Sequence, residues 1–217
     1  PEKKFSSNYQ SGSLSFEFLY KNQKIICNSG YFQNHNHQLN RISKSSANHS
    51  TLIIDNRSSM KFKKYLSGVS RINKSLKILK KKISSEKYHW KLCGSHDGYL
   101  KEYGIVHERQ VEFFPDKFKL IGQDKILKKR NFKSSNFEIR FHLMPNIKIT
   151  KTQDNKSVLI ELENSGWRFF SDNHHVQIET GLYFGKKNSF TENKNIFISG
   201  VTQNEDQIIR WEIQKIT

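Results

Sequence analysis

Period-two alternation dominates this chain. In Phe137-Glu138-Ile139-Arg140-Phe141-His142-Leu143 the four apolar residues share one face, while Glu138, Arg140 and His142 take the other, as a half-buried strand requires. Leu14, Phe16, Phe18 and Tyr20 alternate with Ser15, Glu17 and Leu19. Ile209, Trp211 and Ile213 alternate with Arg210, Glu212 and Gln214. Shorter β-rich runs occupy residues 24–28, 50–54, 107–114, 147–150, 158–162, 175–180 and 196–201. Polar turn formers separate several of them: Gln153-Asp154-Asn155-Lys156, Asn164-Ser165-Gly166 and Gln203-Asn204-Glu205-Asp206 read as hairpin connections. Many strands at short spacing with almost no helical period predict an all-β fold, an antiparallel β-sandwich of stacked sheets with few or no helices.

Two stretches resist that pattern. Residues 60–83 carry eight lysines among Leu and Ile. Leu76, Leu79 and Ile83 fit a helical face, which would make a basic amphipathic helix. The preferred reading is a long lysine-decorated strand leading into Tyr88-His89-Trp90, since lysines blunt exposed sheet edges. Residues 31–48 hold His35, His37 and many Asn and Ser without apolar periodicity and read as a loop, a length often given to function.

Composition changes the picture in three ways. Aromatic residues reach 12%, with 16 Phe, which argues for a buried core and against disorder. With no internal repeat and no proline-rich linker, residues 1–217 read as one globular unit. The formal net charge is +17, from 37 Lys+Arg against 20 Asp+Glu, a field that draws polyanions. Lysines scattered throughout would also serve as a solvated surface. Cys27 and Cys93 read as two buried free thiols. No apolar run approaches the roughly 20 residues of a membrane span. The chain starts at Pro1 with no signal-like segment, and a fragment of a larger protein is the expectation.

The histidines, taken alone, make no strong metal signature. His35-Asn36-His37 would need a third ligand from elsewhere, and His174-His175 would point to opposite faces of a strand. There is no Cys-x-x-Cys, no phosphate-cradling glycine loop and no Gly-x-Ser-x-Gly elbow.

An ordered set of short motifs carries more. Ser13-Leu14-Ser15-Phe16-Glu17-Phe18, Ile25-Ile26-Cys27-Asn28-Ser29-Gly30 and Asn48-His49-Ser50-Thr51-Leu52-Ile53-Ile54-Asp55 come first. Ser95-His96-Asp97-Gly98-Tyr99, Val106-His107-Glu108-Arg109, Arg140-Phe141-His142-Leu143-Met144-Pro145 and Ser165-Gly166-Trp167-Arg168-Phe169 follow. In this order, over nearly the whole chain, they resemble the carboxy-terminal β-sandwich domain of heparinase II/III-like polysaccharide lyases, with bacterial members the most alike. The resemblance implies a two-part enzyme whose α/α toroid, upstream of this chain, supplies catalytic Tyr, Asn and His. The β domain closes the cleft, adds a His and often holds a structural zinc. The implied reaction is β-elimination: a base removes the proton beside the uronate carboxylate and the glycosidic oxygen leaves. The resemblance also implies a bacterial periplasmic or cell-envelope setting in preference to the cytoplasm.

Carried over residue by residue, the family's catalytic and zinc-binding His-x-His pair matches Asn8 and Gln10. Its zinc-binding Asp matches Asn28, and only the third ligand is retained, as His49. Neutral amides are weak zinc ligands, so the expectation is no metal at this site and no cofactor. Asn8 cannot serve as the elimination base, and the fragment alone is expected to be inactive. The candidate cleft or polar-cluster residues are Gln10, Asn28, His49, His96, Arg109 and His142; the last three, with His107, could equally satisfy one another inside the sandwich. Trp167 and Arg168 read as core and sheet-face residues. Three functional readings follow: the β domain of a lyase acting on acidic glycans; a non-catalytic module binding acidic glycan or cell envelope; and a nucleic-acid-binding β protein using the lysines of residues 60–83. The sequence shows no aromatic RNA-recognition motif to support the third.

Overall fold

The computed structural model describes residues 3–216; Pro1, on which the fragment expectation partly rests, lies outside them. After a 3-10 turn at Lys3–Asn8 come β1 (Phe18–Tyr20) and β2 (Gln23–Cys27), then the short helix α1 (Gln38–Ser43) and β3 (Leu52–Ile54). Four strands follow: β4 (Lys61–Lys64), β5 (Ser70–Lys74), β6 (Ile78–Glu86) and β7 (His89–His96). Helix α2 (Leu100–Tyr103) leads into β8 (Ile105–Phe114), β9 (Lys119–Lys128) and β10 (Asn136–Leu143). The chain closes with β11 (Lys148–Lys151), β12 (Ser157–Leu162), β13 (Ser165–Ser171), β14 (Val176–Tyr183), β15 (Thr191–Val201) and β16 (Gln207–Lys215).

These strands form two antiparallel sheets. One runs β1-β2-β10-β15-β14, with β3 also pairing β10; the other runs β11-β12-β13-β16-β9-β8-β7-β6. β4 and β5 form a separate hairpin. The inward residues of β10, Phe137, Ile139, Phe141 and Leu143, are essentially inaccessible, as are Trp167, Phe169, Trp211 and Ile213 across the interface. Phe141 meets Trp211 at 4.8 Å and Phe169 at 4.7 Å between ring centroids, and Phe16 stacks on Trp211 at 5.4 Å. Each such ring is worth roughly 1.5–3 kcal/mol by burial, and edge-to-face contacts add to that. Trp167 is core, as its position predicts. Both cysteines are buried and free, and burial pushes the Cys27 thiol up to about 12. Among the described residues no helix is long and apolar enough to cross a membrane.

The sandwich is all-β as expected, with local departures that have physical causes. The alternating run from Leu14 becomes a strand only at Phe18. Before that, Leu14 has φ 60° and its carbonyl accepts from Arg109 Nη1, while the Ser13 carbonyl accepts from Thr51 Oγ1. Side chains thus take the backbone bonds a ladder would use. Residues 60–83 are neither a helix nor one long strand: Gly68, at φ 80°, reverses the chain between β4 and β5. β6 then turns back into β7 through Lys87 and Tyr88. The loop predicted over residues 31–48 contains α1, whose first turn is capped by His37 Nδ1 accepting from the Leu39 N–H. A six-residue helix is too short to display a hydrophobic period. His174 and His175 precede β14 rather than lying in it.

Candidate functional site

The amino-terminal segment is held against the sandwich by buried serines. Ser11 N–H donates to the Lys44 carbonyl at 2.8 Å. Ser46 Oγ donates to the Ser11 carbonyl at 2.7 Å, and the Met60 N–H donates to Ser11 Oγ at 2.9 Å. A buried lysine adds to this: Lys44 Nζ donates to the carbonyls of Ser7 and Ser70 and lies over the Tyr31 and Phe62 rings. Burial pulls this amine down to about 8. The segment so anchored delivers Gln10 to a depression of about 450 Å³.

Gln10, Ser15, Glu17, Asn28, His49 and Tyr183 line that depression. Gly12 lies directly against the His49 ring, where a Cβ would stand 2.7 Å from Nδ1. The Ser50 N–H donates to Asn28 Oδ1 at 3.1 Å, which turns the amide toward the chain's own backbone. His49 is 3% exposed, its Nε2 has no hydrogen-bond partner, and burial pulls its pKa down to about 4. It is therefore a neutral imidazole whose ring forms part of the wall of a polar hollow while its unpaired Nε2 is buried. Glu17, the one carboxylate among these six, is tied to Lys24 at 2.6 Å.

His142 stands behind this hollow without lining it. Its Nε2–H donates to the Ala47 carbonyl, and Nδ1 accepts from Ser29 Oγ, both at 2.9 Å. Those partners assign the tautomer, and burial, reinforced by Arg140, pulls the ring down to about 3. It fixes the loop that carries His49 to β10.

His96 and Arg109 lie elsewhere, in a fully buried polar cluster on the core side of the larger sheet. Its centre is Asp124, which sequence reading passed over. Asp124 accepts from His107 Nε2 at 2.6 Å, Arg109 Nε at 2.8 Å, Arg109 Nη2 at 3.0 Å and Trp211 Nε1 at 2.8 Å. Arg109 Nη1 reaches the carbonyls of Leu14 and Ser50. The Gly98 N–H donates to His96 Nδ1, so the neutral ring carries its proton on Nε2 and faces His107 Nδ1 at 3.4 Å. Both imidazoles are neutral: burial pulls His96 down to about 3 and lowers His107 despite its carboxylate partner. The Arg109 charge and the His107 bond outweigh burial at Asp124 and hold its carboxyl far below the usual range. Asp124 escaped the sequence pattern because β9 presents Leu120, Gly122, Asp124 and Ile126 inward, and Gly and Asp interrupt its apolar face. The one available signal was the pairing of an unusual Asp with the His and Arg two residues apart on β8.

His35 and His37 serve the loop rather than a metal. His35 faces the Tyr31 hydroxyl, and His37 caps α1. Asn8 ends the 3-10 turn exposed and outside the hollow. A zinc ion at Gln10, Asn28 and His49 would meet two neutral amides, one already committed to Ser50, and a single imidazole. That donor set does not suit the metal.

The described strands build a two-sheet antiparallel sandwich with a polar hollow at the start of its first strands. The chain belongs to the heparinase II/III-like family, whose carboxy-terminal domain model matches residues 1–212. Its fold is similar to that of heparan sulfate lyase HepC from Pedobacter heparinus, with a TM-score of 0.77 and 16% identity over 95% of this chain. It is also similar to the heparinase III BT4657 gene product, with a TM-score of 0.74 and 13% identity over 95% of this chain. The chain spans only 30% of the length of each of those proteins. No curated protein sequence matches.

Proposed function

We propose that this domain is the β part of a polysaccharide lyase acting on uronate-containing acidic glycans, and that it completes the cleft of an α/α toroid domain in the same polypeptide. One observation carries the reading. Gln10, Asn28 and His49 come from three separated segments matched to the family's ligand positions, and they meet in one hollow of a fold similar to that of heparan sulfate lyase HepC.

In β-elimination a base takes the proton from the carbon beside the carboxylate, the electron pair forms the new double bond, and the glycosidic oxygen leaves with a proton from an acid. Among the residues lining the hollow, His49 is the imidazole, and its lowered pKa makes it a weak base. The base and acid therefore belong to the toroid. The β domain contributes hydrogen bonds from Gln10, whose amide is suited to orienting a sugar hydroxyl or carboxylate, with the His49 ring as part of the wall behind it.

The test is an elimination assay on uronate polymers, using the whole polypeptide and reading the absorbance of the unsaturated product. Gln10→Ala in that protein should lower turnover at least tenfold while leaving the fold intact. Salt-sensitive glycan binding with no unsaturated product would instead establish a non-catalytic binding module, a reading favoured by the replacement of acidic and imidazole ligands with Gln10 and Asn28.

A further inference from the structure

The β4–β5 hairpin carries cations in an arrangement that its own strands do not favour. Its register places Lys61 opposite Lys74 and Lys63 opposite Arg71, and like charges directly across an antiparallel pair are destabilising. Glu102 of α2 relieves one end: it pairs with Lys61 and lies near enough to Lys74 and Arg57 for all three to lower its pKa. Lys63 and Arg71 are exposed, and among the described residues neither has an acidic partner. The Arg71 guanidinium lies 5.8 Å from the centre of the Tyr65 ring, which is 50% exposed, and Leu66 beside it projects fully into solvent.

The hairpin's other face is firmly held. Ile72 is buried, its N–H donates to Ser6 Oγ at 3.0 Å, and Lys44 Nζ donates to the Ser70 carbonyl while lying over Phe62. The 3-10 turn that β5 packs on runs directly into Gln10 of the hollow. The cations and the ring are thus presented on an anchored support joined to the proposed cleft, not on a free loop.

We infer that the outer face of β4–β5 is a second binding site for a carboxylate- or sulfate-bearing glycan chain, with Lys63 and Arg71 pairing its anionic groups and Tyr65 covering one sugar face. This rests on the acidic-glycan reading and adds to it a contact outside the hollow. Bidentate Arg suits carboxylate and sulfate alike. One half-exposed ring serves one pyranose and offers no ladder for the successive bases of a single strand. An anion bridging Lys63 and Arg71 also removes the cross-strand repulsion.

The experiment is titration of this chain with a heparin oligosaccharide, a polyuronate oligosaccharide, a neutral dextran oligosaccharide and single-stranded DNA of matched charge, at several salt concentrations. Lys63→Ser/Arg71→Ser should weaken binding of both acidic glycans at least tenfold and reduce the logarithmic salt slope by about two, one per cation removed. Tyr65→Ala should weaken glycan binding severalfold with an unchanged salt slope. The equally charge-depleted Lys151→Ser/Lys186→Ser should stay within twofold, and unchanged melting temperatures in all variants guard against misfolding. Equal losses in the two double variants would reduce the site to diffuse charge and overturn the inference. DNA binding as tight as that of the acidic glycans, or no binding by the unmodified chain, would overturn it as well. None of these outcomes alters the elimination assay on the whole polypeptide, and a failed elimination assay with intact hairpin binding would remove the lyase reading alone.

Discussion

Replacing Asp124 by Asn should cost this fold about 3–5 kcal/mol, the loss typical of a buried charge stripped of its partner. Asp124 is inaccessible and receives four hydrogen bonds, two from Arg109 and one each from His107 and Trp211. An Asn carbonyl oxygen offers two lone pairs, so it can serve two of those donors, and its own NH₂ must face the others. Arg109 would keep a full charge at 3% exposure with no carboxylate against it, held by the carbonyls of Leu14 and Ser50 and the faces of Phe16 and Trp211. Arg109→Met removes the cation but orphans those two carbonyls at about 1–3 kcal/mol each. Once one partner is gone, much of the other's role is lost, so the double variant should be less damaged than the sum of the singles by about 2–3 kcal/mol. The assay is urea unfolding followed by tryptophan fluorescence, with stability taken from midpoints at constant slope. An Asp124→Asn cost below about 1 kcal/mol, or single-variant costs that simply add, would refute the account of the cluster as one interlocked unit.

Three further expectations follow from the same geometry. The folded chain holds His49, His96 and His142 neutral, with pKa values near 4, 3 and 3, whereas the unfolded chain takes up protons near pH 6.5. Below pH 6.5 the unfolded state therefore binds more protons, and stability should fall on acidification by up to about 1.4 kcal/mol per pH unit for each ring until the folded pKa is reached. Urea midpoints that stay level between pH 7.5 and 5 would contradict this. Gly122 lies beneath Trp211, where a Cβ would stand 1.9 Å from the indole. Gly122→Ala should thus lose about 1–3 kcal/mol by overpacking and recover in part with Trp211→Leu, as read by thermal melting. Finally, metal analysis should find no stoichiometric zinc in the unmodified chain, while Gln10→His/Asn28→Asp, joined to His49, should bind one zinc and melt higher in its presence. Zinc in the unmodified protein that disappears with His49→Ala would overturn the reading of the hollow.

The strand pattern was readable because each face of these sheets meets a different solvent. Phe137, Ile139, Phe141 and Leu143 face the core while Glu138 and Arg140 face outward, so burial itself writes the alternation into the chain. Gln10, Asn28 and His49 line one hollow; Asn28 and His49 fall in the ordered motifs, and Gln10 stands just ahead of the first of them. Residues 60–83 were ambiguous because lysines solvate equally well on a helix, an edge strand or a hairpin, and the φ of Gly68, the burial of Ile72 and the seating of Lys44 over Phe62 select the hairpin.

The all-β sandwich, the strand faces and the lyase-family membership belonged to the sequence by itself, because each depends on local periodicity or on motif order. Tertiary structure alone decided the division of the six candidates. It brought Gln10, Asn28 and His49 to one hollow, set His142 behind it, and sank His96 and Arg109 with His107 around Asp124. The reason is physical. A charge on the core side of a strand is tolerable only when groups from distant strands supply its hydrogen bonds, and such partners, 15 to 87 residues away from Asp124 in the chain, leave no periodic trace.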